Sequence, residues 1–180
     1  MQLDLGALAK GYTGDAVMQL FRNGGAASAI ISLGGNVQTL GSRPDGTPWQ
    51  VGVTNPFSPS ETMCILSVED KAVITSGNYE RYFTDENGNR WWHILDPADG
   101  YPADNGLVSV TVVGDEGLYC DALSTALFVE GTEQAQIHWR QAQDFEMLLV
   151  TEDGRILLTE GLSDCFTNCT SYPVEVITRA

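Results

Sequence analysis

The sequence predicts an α+β fold, a mainly antiparallel sheet with helices packed on it. Three observations predict it. Short apolar or β-branched runs recur along the chain, joined by brief turns rich in Gly, Asn, Asp and Pro, as strands that fold back on one another require. Helical periodicity is confined to one stretch near the N-terminus and one in the second half. Strands and helices do not alternate one for one, which a parallel α/β sheet would need. The composition agrees: 43% of the 180 residues are hydrophobic and 18% charged, as in a folded domain. A single domain of this size buries about 70% of the surface its unfolded chain exposes, so no metal or disulfide staple is needed.

The elements follow in order. Ala16, Val17, Leu20 and Phe21 recur at helical spacing through Arg22, and Asn23-Gly24-Gly25 stops that helix. Ala27 to Leu33 reads as a buried strand ending at Gly34-Gly35-Asn36, with a second strand over Val37 to Leu40. Pro44-Asp45-Gly46-Thr47-Pro48 is a turn, and Trp49 to Val53 alternates as a half-buried strand does. Met63 to Val68 and Ala72 to Thr75 flank Glu69-Asp70-Lys71. Arg81 to Thr84 and Arg90 to Leu95 flank Asp85-Glu86-Asn87-Gly88-Asn89, a hairpin signal. Leu107 to Val113 is β-branched and alternating, as a strand is. Leu118 to Val129 is a helix ended by Gly131, and Thr132 to Ala142 a second one. Met147 to Val150 and Ile156 to Thr159 flank Glu152-Asp153-Gly154 as another hairpin. After Glu160 the periodicity is weak, and the chain reads as partly irregular.

Charge and cysteines exclude several classes. Nine Lys and Arg against 24 Asp and Glu give a net charge of −15. That chain has no electrostatic footprint for nucleic acid or an anionic membrane, and an anionic substrate would need a metal or a local basic spot. No run of 18 apolar residues exists, and Met1-Gln2-Leu3-Asp4 shows no signal-peptide pattern. Cys64, Cys120, Cys165 and Cys169 form no CxxC pair, and His93 and His138 stand apart, which argues against a structural zinc site. The cysteines read as small buried residues, with a Cys165–Cys169 disulfide as the alternative in an oxidising compartment.

Five places carry residue types suited to chemistry. Asp121 and Thr125, four apart on a helix, share a face and can aim two oxygens at one point. A carboxylate with a hydroxyl is hard-oxygen ligation, suited to Mg²⁺; an ordinary solvated stripe near a helix start would look the same. Trp91-Trp92-His93-Ile94-Leu95-Asp96-Pro97 sets a histidine and a carboxylate three positions apart at a strand end, for proton shuttling or plain structure. Thr75-Ser76-Gly77 can present backbone N–H groups to an anion. Gly34-Gly35-Asn36 allows close backbone approach, but it is not a dinucleotide fingerprint. Lys10, in Ala9-Lys10-Gly11, is one of only nine basic residues, open to a phosphate role or a surface one.

Taken in order, these pieces resemble the ApbE family, the FAD:protein FMN transferases. The resemblance rests on Asp4-Leu5-Gly6-Ala7-Leu8-Ala9-Lys10-Gly11-Tyr12, Ser32-Leu33-Gly34-Gly35-Asn36-Val37, Thr75-Ser76-Gly77-Asn78-Tyr79-Glu80-Arg81-Tyr82, His93-Ile94-Leu95-Asp96-Pro97 with Gly100 and Pro102, Ser109-Val110-Thr111-Val112, and Cys120-Asp121-Ala122-Leu123-Ser124-Thr125-Ala126. It implies a T-fold-like α+β catalytic domain over residues 1–161, with 162–180 as a C-terminal tail. It implies FAD as substrate and a flavoprotein partner whose Thr or Ser hydroxyl receives FMN as AMP leaves; some members hydrolyse FAD instead. It implies Mg²⁺ held by the Ala9 carbonyl, Asp121 and Thr125, catalytic roles for His93 and Asp121, and FAD contacts at Lys10, Thr75, Ser76, Gly77, His93 and Leu95. Family members are about twice as long, so the chain is expected to lack their N-terminal half, with weakened FAD binding and apolar surface open to self-association. The full-length parent is expected to be exported and membrane-anchored, facing the periplasm or cell exterior.

Overall fold

The computed structural model describes residues 5–179, so Asp4 of the first motif lies outside the described residues. The chain opens with helix α1 (Ala9–Asn23), then strands β1 (Ala29–Leu33), β2 (Asn36–Leu40), β3 (Trp49–Thr54), β4 (Thr62–Val68) and β5 (Ala72–Gly77). The short strands β6 (Tyr82–Thr84) and β7 (Arg90–Trp92) precede β8 (Leu107–Gly114) and helix α2 (Gly117–Ala142). Strands β9 (Glu146–Thr151), β10 (Ile156–Thr159), β11 (Phe166–Asn168) and β12 (Val174–Ile177) complete the fold. A seven-stranded sheet runs β1-β2-β5-β8-β9-β10-β12, a three-stranded sheet β11-β4-β3, and β6 pairs with β7 alone. Every pairing is antiparallel except β10 with β12.

Strand alternation builds two cores on the two faces of the large sheet. Ile74, Val110, Val112, Met147 and Leu149 face α2 and pack with Leu127, Phe128 and Trp139. Their neighbours Val73, Val113, Leu148 and Val150 face the small sheet and pack with Val51, Val53, Cys64 and Leu66. Strand β8 is therefore buried along its whole length, Ser109 and Thr111 included, where its alternating sequence suggested a strand with one polar face; the sheet is covered on both sides there.

The predicted break at Gly131 is present: α2 has non-helical angles there (φ 78, ψ 175). Asn105 Nδ2 donates to the carbonyls of Phe128 (2.7 Å) and Val129 (3.1 Å), partnering acceptors that the break leaves without helical donors. The stretch after Glu160 is partly irregular, as its weak periodicity suggested, yet it holds two short strands. It supplies β11 to the small sheet and β12 to the large one, and Ile177 is buried in the helix-side core. Such short strands carry too few residues for alternation to show. All four cysteines are free. The extended segment Phe166–Asn168 lies between Cys165 and Cys169, and four strand steps cover about 13 Å, beyond the reach of a disulfide. No helix among the described residues is long and apolar enough to cross a membrane.

Candidate active site

The site is built where α1 crosses the start of α2. Helices approach this closely only without side chains between them. A Cβ on Gly11 would lie 2.2 Å from the Gly117 carbonyl oxygen, and one on Gly14 would lie 2.3 Å from Gln38 Nε2. Gln38, a buried polar residue on β2, donates from Nε2 to the Gly11 carbonyl (3.1 Å). Asp15 of α1 accepts the Gly117 and Leu118 amides at 2.7 and 2.8 Å, so α2 is capped from another helix. Its own N-cap residue, Glu116, makes no side-chain cap bond, and the Asp15 charge favours the helix's positive end. Asp15 and Gln38 were not singled out from the sequence. Their partners are remote in the chain, and no local pattern marks them.

This crossing places Asp121. Its carboxylate is only 4% exposed, and Oδ2 accepts the Gly11 amide at 2.8 Å. The solvated-stripe alternative therefore fails: Asp121 is buried, and Ser124 is fully buried beside it. Ser124 Oγ donates to the Asp121 carbonyl (3.0 Å), while Ser76 Oγ lies 2.8 Å from Ser124 Oγ and 3.1 Å from Thr125 Oγ1. Strand β5 thus delivers Ser76 to the α2 face, and Thr75 points the other way to pair with Thr111 Oγ1 (2.8 Å). Gly77 leaves room for the Tyr79 ring, which a Cβ would meet at 2.5 Å. Burial, and then the charge of Glu80, push the Tyr79 hydroxyl up to about 12.

The third wall is the β6–β7 hairpin. His93 follows β7; its amide donates to the Arg81 carbonyl (3.3 Å), and its Nδ1 lies 3.2 Å from the same oxygen. A carbonyl only accepts, so Nδ1 carries the proton and Nε2 is the basic nitrogen of the neutral ring. Asp96 does not partner His93. Its Oδ1 accepts the Ala98 amide (2.8 Å) within its own turn, which brings Leu95 back against Pro102.

These three walls enclose a cleft of about 440 Å³. Of the nine predicted site residues, Lys10, Thr75, Ser76, Gly77, His93, Leu95, Asp121 and Thr125 line it. Ala9 does not; its carbonyl accepts the Thr13 hydroxyl at 2.7 Å. Gly6, Ala7, Glu80, Arg81 and Ile94 complete the lining. Arg81 is the addition that matters. Five of the chain's other basic residues are in ion pairs, Arg90 lies over the Tyr82 ring, and Arg140 bonds the Thr178 carbonyl. Among the described residues only the Lys10 and Arg81 side chains lack such a partner, and both residues line this cleft. Arg81 sits inside one of the motifs, but its freedom from partners is visible only in three dimensions.

The donors around Asp121 are hard oxygens. Asp121 Oδ1 has no hydrogen-bond partner among the described residues, and the Thr125 hydroxyl opens on the same cleft. Among the described residues no group of three or more His, Cys, Asp or Glu gathers to hold a metal. The set fits an ion that takes one carboxylate and fills its shell with water and substrate phosphate, as Mg²⁺ does.

The comparisons with known proteins point one way. The sequence profile of the ApbE family matches residues 1–149. A protein of Klebsiella pneumoniae (strain 342) named FAD:protein FMN transferase is 43% identical over 160 residues, covering 88% of this chain and 48% of that protein. The crystal structure of the ApbE protein of Thermotoga maritima superimposes with a TM-score of 0.83 at 35% identity, over 91% of this chain and 53% of that one. The apo flavinyl transferase ApbE of Pseudomonas stutzeri does so with a TM-score of 0.76 at 30% identity, over 91% and 51%. The chain thus spans about half the length of the relatives it matches.

Proposed function

The chain belongs to the ApbE family, and from that premise we propose that its cleft binds FAD and transfers FMN to a Thr or Ser hydroxyl of a flavoprotein, with release of AMP. One observation carries this reading: in a chain of net charge −15, Lys10 and Arg81, the two basic side chains without a partner among the described residues, share one cleft with the buried Asp121 and His93. An anionic substrate finds there the local basic spot that the rest of the surface denies it.

The acceptor oxygen attacks the phosphorus on the FMN side of the diphosphate. The phosphoester bond forms as the P–O bond to AMP breaks, and the electron pair leaves on the AMP phosphate. His93 Nε2, unprotonated while Nδ1–H donates to Arg81, takes the hydroxyl proton. Lys10 offsets phosphate charge, and Ser76 orients the Thr125 hydroxyl. Asp121 and Thr125 are the proposed holders of Mg²⁺, which when bound would neutralise phosphate charge and stabilise the charge that develops in transfer; the Ala9 carbonyl, bonded to the Thr13 hydroxyl, is not free to join them. The site asks for positioning and electrostatics rather than a covalent enzyme intermediate.

His93 is exposed, so water reaches the same point as a hydroxyl, and this favours FAD hydrolysis to FMN and AMP as the second reading. We propose further, from the family resemblance, that the protein works outside the cytoplasm at the membrane. The test incubates the chain with FAD, Mg²⁺ and a Thr-containing acceptor peptide and follows AMP and peptide-bound flavin. AMP with flavinylated peptide, lost in EDTA, is the expected result. AMP without flavinylated peptide selects hydrolysis. FAD binding without AMP makes the chain a binding domain, and neither binding nor AMP overturns the reading.

A further inference from the structure

We propose that Arg81 grips the diphosphate of the substrate through its guanidinium, while its main-chain carbonyl sets the ring of the proton acceptor His93. The proposal rests on the reading that a dinucleotide occupies the cleft, and it assigns a residue which that reading leaves open.

Four observations carry it. The Arg81 guanidinium has no carboxylate, carbonyl or ring partner among the described residues, although acids outnumber bases 24 to 9. With so many carboxylates available, an arginine left alone on a cleft wall is held for something else. Second, the wall needs it. Glu80 and Asp121 bring two carboxylates to the cleft, and Lys10 alone would leave it negative toward a phosphate. Third, Arg81 and Lys10 reach the cleft from different elements, the bend between β5 and β6 and helix α1, so a diphosphate can be held from two sides. The planar fork of arginine matches two phosphate oxygens at once, which an ammonium cannot do. Fourth, the Arg81 carbonyl accepts both the His93 amide (3.3 Å) and Nδ1 (3.2 Å). Any contact that orders Arg81 therefore also orders the histidine. The diphosphate and the proton acceptor are registered to each other through one residue.

Calorimetric titration of the chain with ADP, FAD and riboflavin, with Mg²⁺ and in EDTA, tests this. ADP carries the diphosphate without the flavin, and riboflavin the flavin without phosphate. Arg81→Gln should weaken ADP and FAD about 10- to 100-fold, the range for hydrogen bonds to charged groups, and leave riboflavin unchanged. Arg81→Lys should fall between, since it restores charge without the fork. Raising salt should weaken ADP less steeply in Arg81→Gln than in wild type. Circular dichroism melts confirm that the variants fold, which the exposed position favours. Wild-type ADP affinity in Arg81→Gln overturns the proposal, as does an equal loss for riboflavin, which would mean a distorted cleft. No ADP binding by wild type in either condition overturns it too. AMP release from FAD with Arg81→Gln binding as wild type leaves the transfer reading standing and sinks only Arg81. An Arg81-dependent ADP site in a chain that never releases AMP does the reverse.

Discussion

Replacing Gly11 with alanine should push α1 off α2 and lower stability by about 2 kcal/mol. The added Cβ would stand 2.2 Å from the Gly117 carbonyl oxygen and 2.7 Å from Asp121 Cβ. Neither neighbour can swing aside. The first is main chain in the opening turn of α2, whose amides Asp15 holds, and the second belongs to a buried residue. Ordinary contact begins at 3.4 Å, so relief requires the helices to separate by roughly 1 Å. Overpacking of this kind costs about 1–3 kcal/mol, and the rigid neighbours place it at the upper end. Alanine returns about 1 kcal/mol through helix propensity. For a chain of 180 residues the net loss corresponds to a fall in Tm of about 4–8 °C. Gly14→Ala is the paired control. Its Cβ meets the end of the Gln38 side chain at 2.3 Å, which can turn away, and it gains the same propensity, so its loss should be no more than about 1 kcal/mol. Thermal melts and urea unfolding of both variants beside wild type decide the matter. A Gly11→Ala protein that melts with or above Gly14→Ala would refute the crossing argument.

Two further outcomes follow from the site and its hairpin. Asp121→Ala should abolish Mg²⁺ binding and Thr125→Ala should weaken it, read by calorimetric titration. The helix should survive, since Ala is the better helix former and the orphaned Gly11 amide costs at most about 3 kcal/mol; unchanged Mg²⁺ affinity in Asp121→Ala rejects the ligand set. The side chains of Asn89 and Trp91, and then the amides of Asn89 and Asn87, bond the Asp85 carboxyl and hold it down at about 2 against an ordinary 3.8. A depressed carboxyl stabilises above its unfolded value, and that contribution is lost as pH falls from about 4 to about 2. The β6–β7 hairpin should therefore loosen in that window, followed by Trp91 fluorescence; a midpoint near 4 would mean that these bonds do not hold in solution.

The sequence by itself determined what depends on near neighbours. The break at Gly131, the hairpin at Asp85–Asn89 and the alternation of β3 are all written in turn chemistry and periodicity, which act over a few residues; that β8 is buried on both faces is not. The i, i+4 pairing of Asp121 with Thr125 is local too, a property of any helix. The motif order marked the family, and with it most of the residues that line the cleft. The tertiary structure decided the rest. Whether Asp121 was a solvated stripe or a buried anchor depended on Gly11, 110 residues away. The cap from Asp15 and the wedge of Gln38 join partners that no local pattern relates. Strand β12 pairs parallel to β10 at the sheet's edge, and β11 joins the small sheet, although each has too few residues for periodicity to declare it. Arg81 reads as one basic residue among nine until all of the others but Lys10 are seen to have partners among the described residues. Periodicity reports how each segment meets an apolar environment; which polar groups meet across the fold, and which are left free to meet a ligand, is settled only when the chain closes on itself.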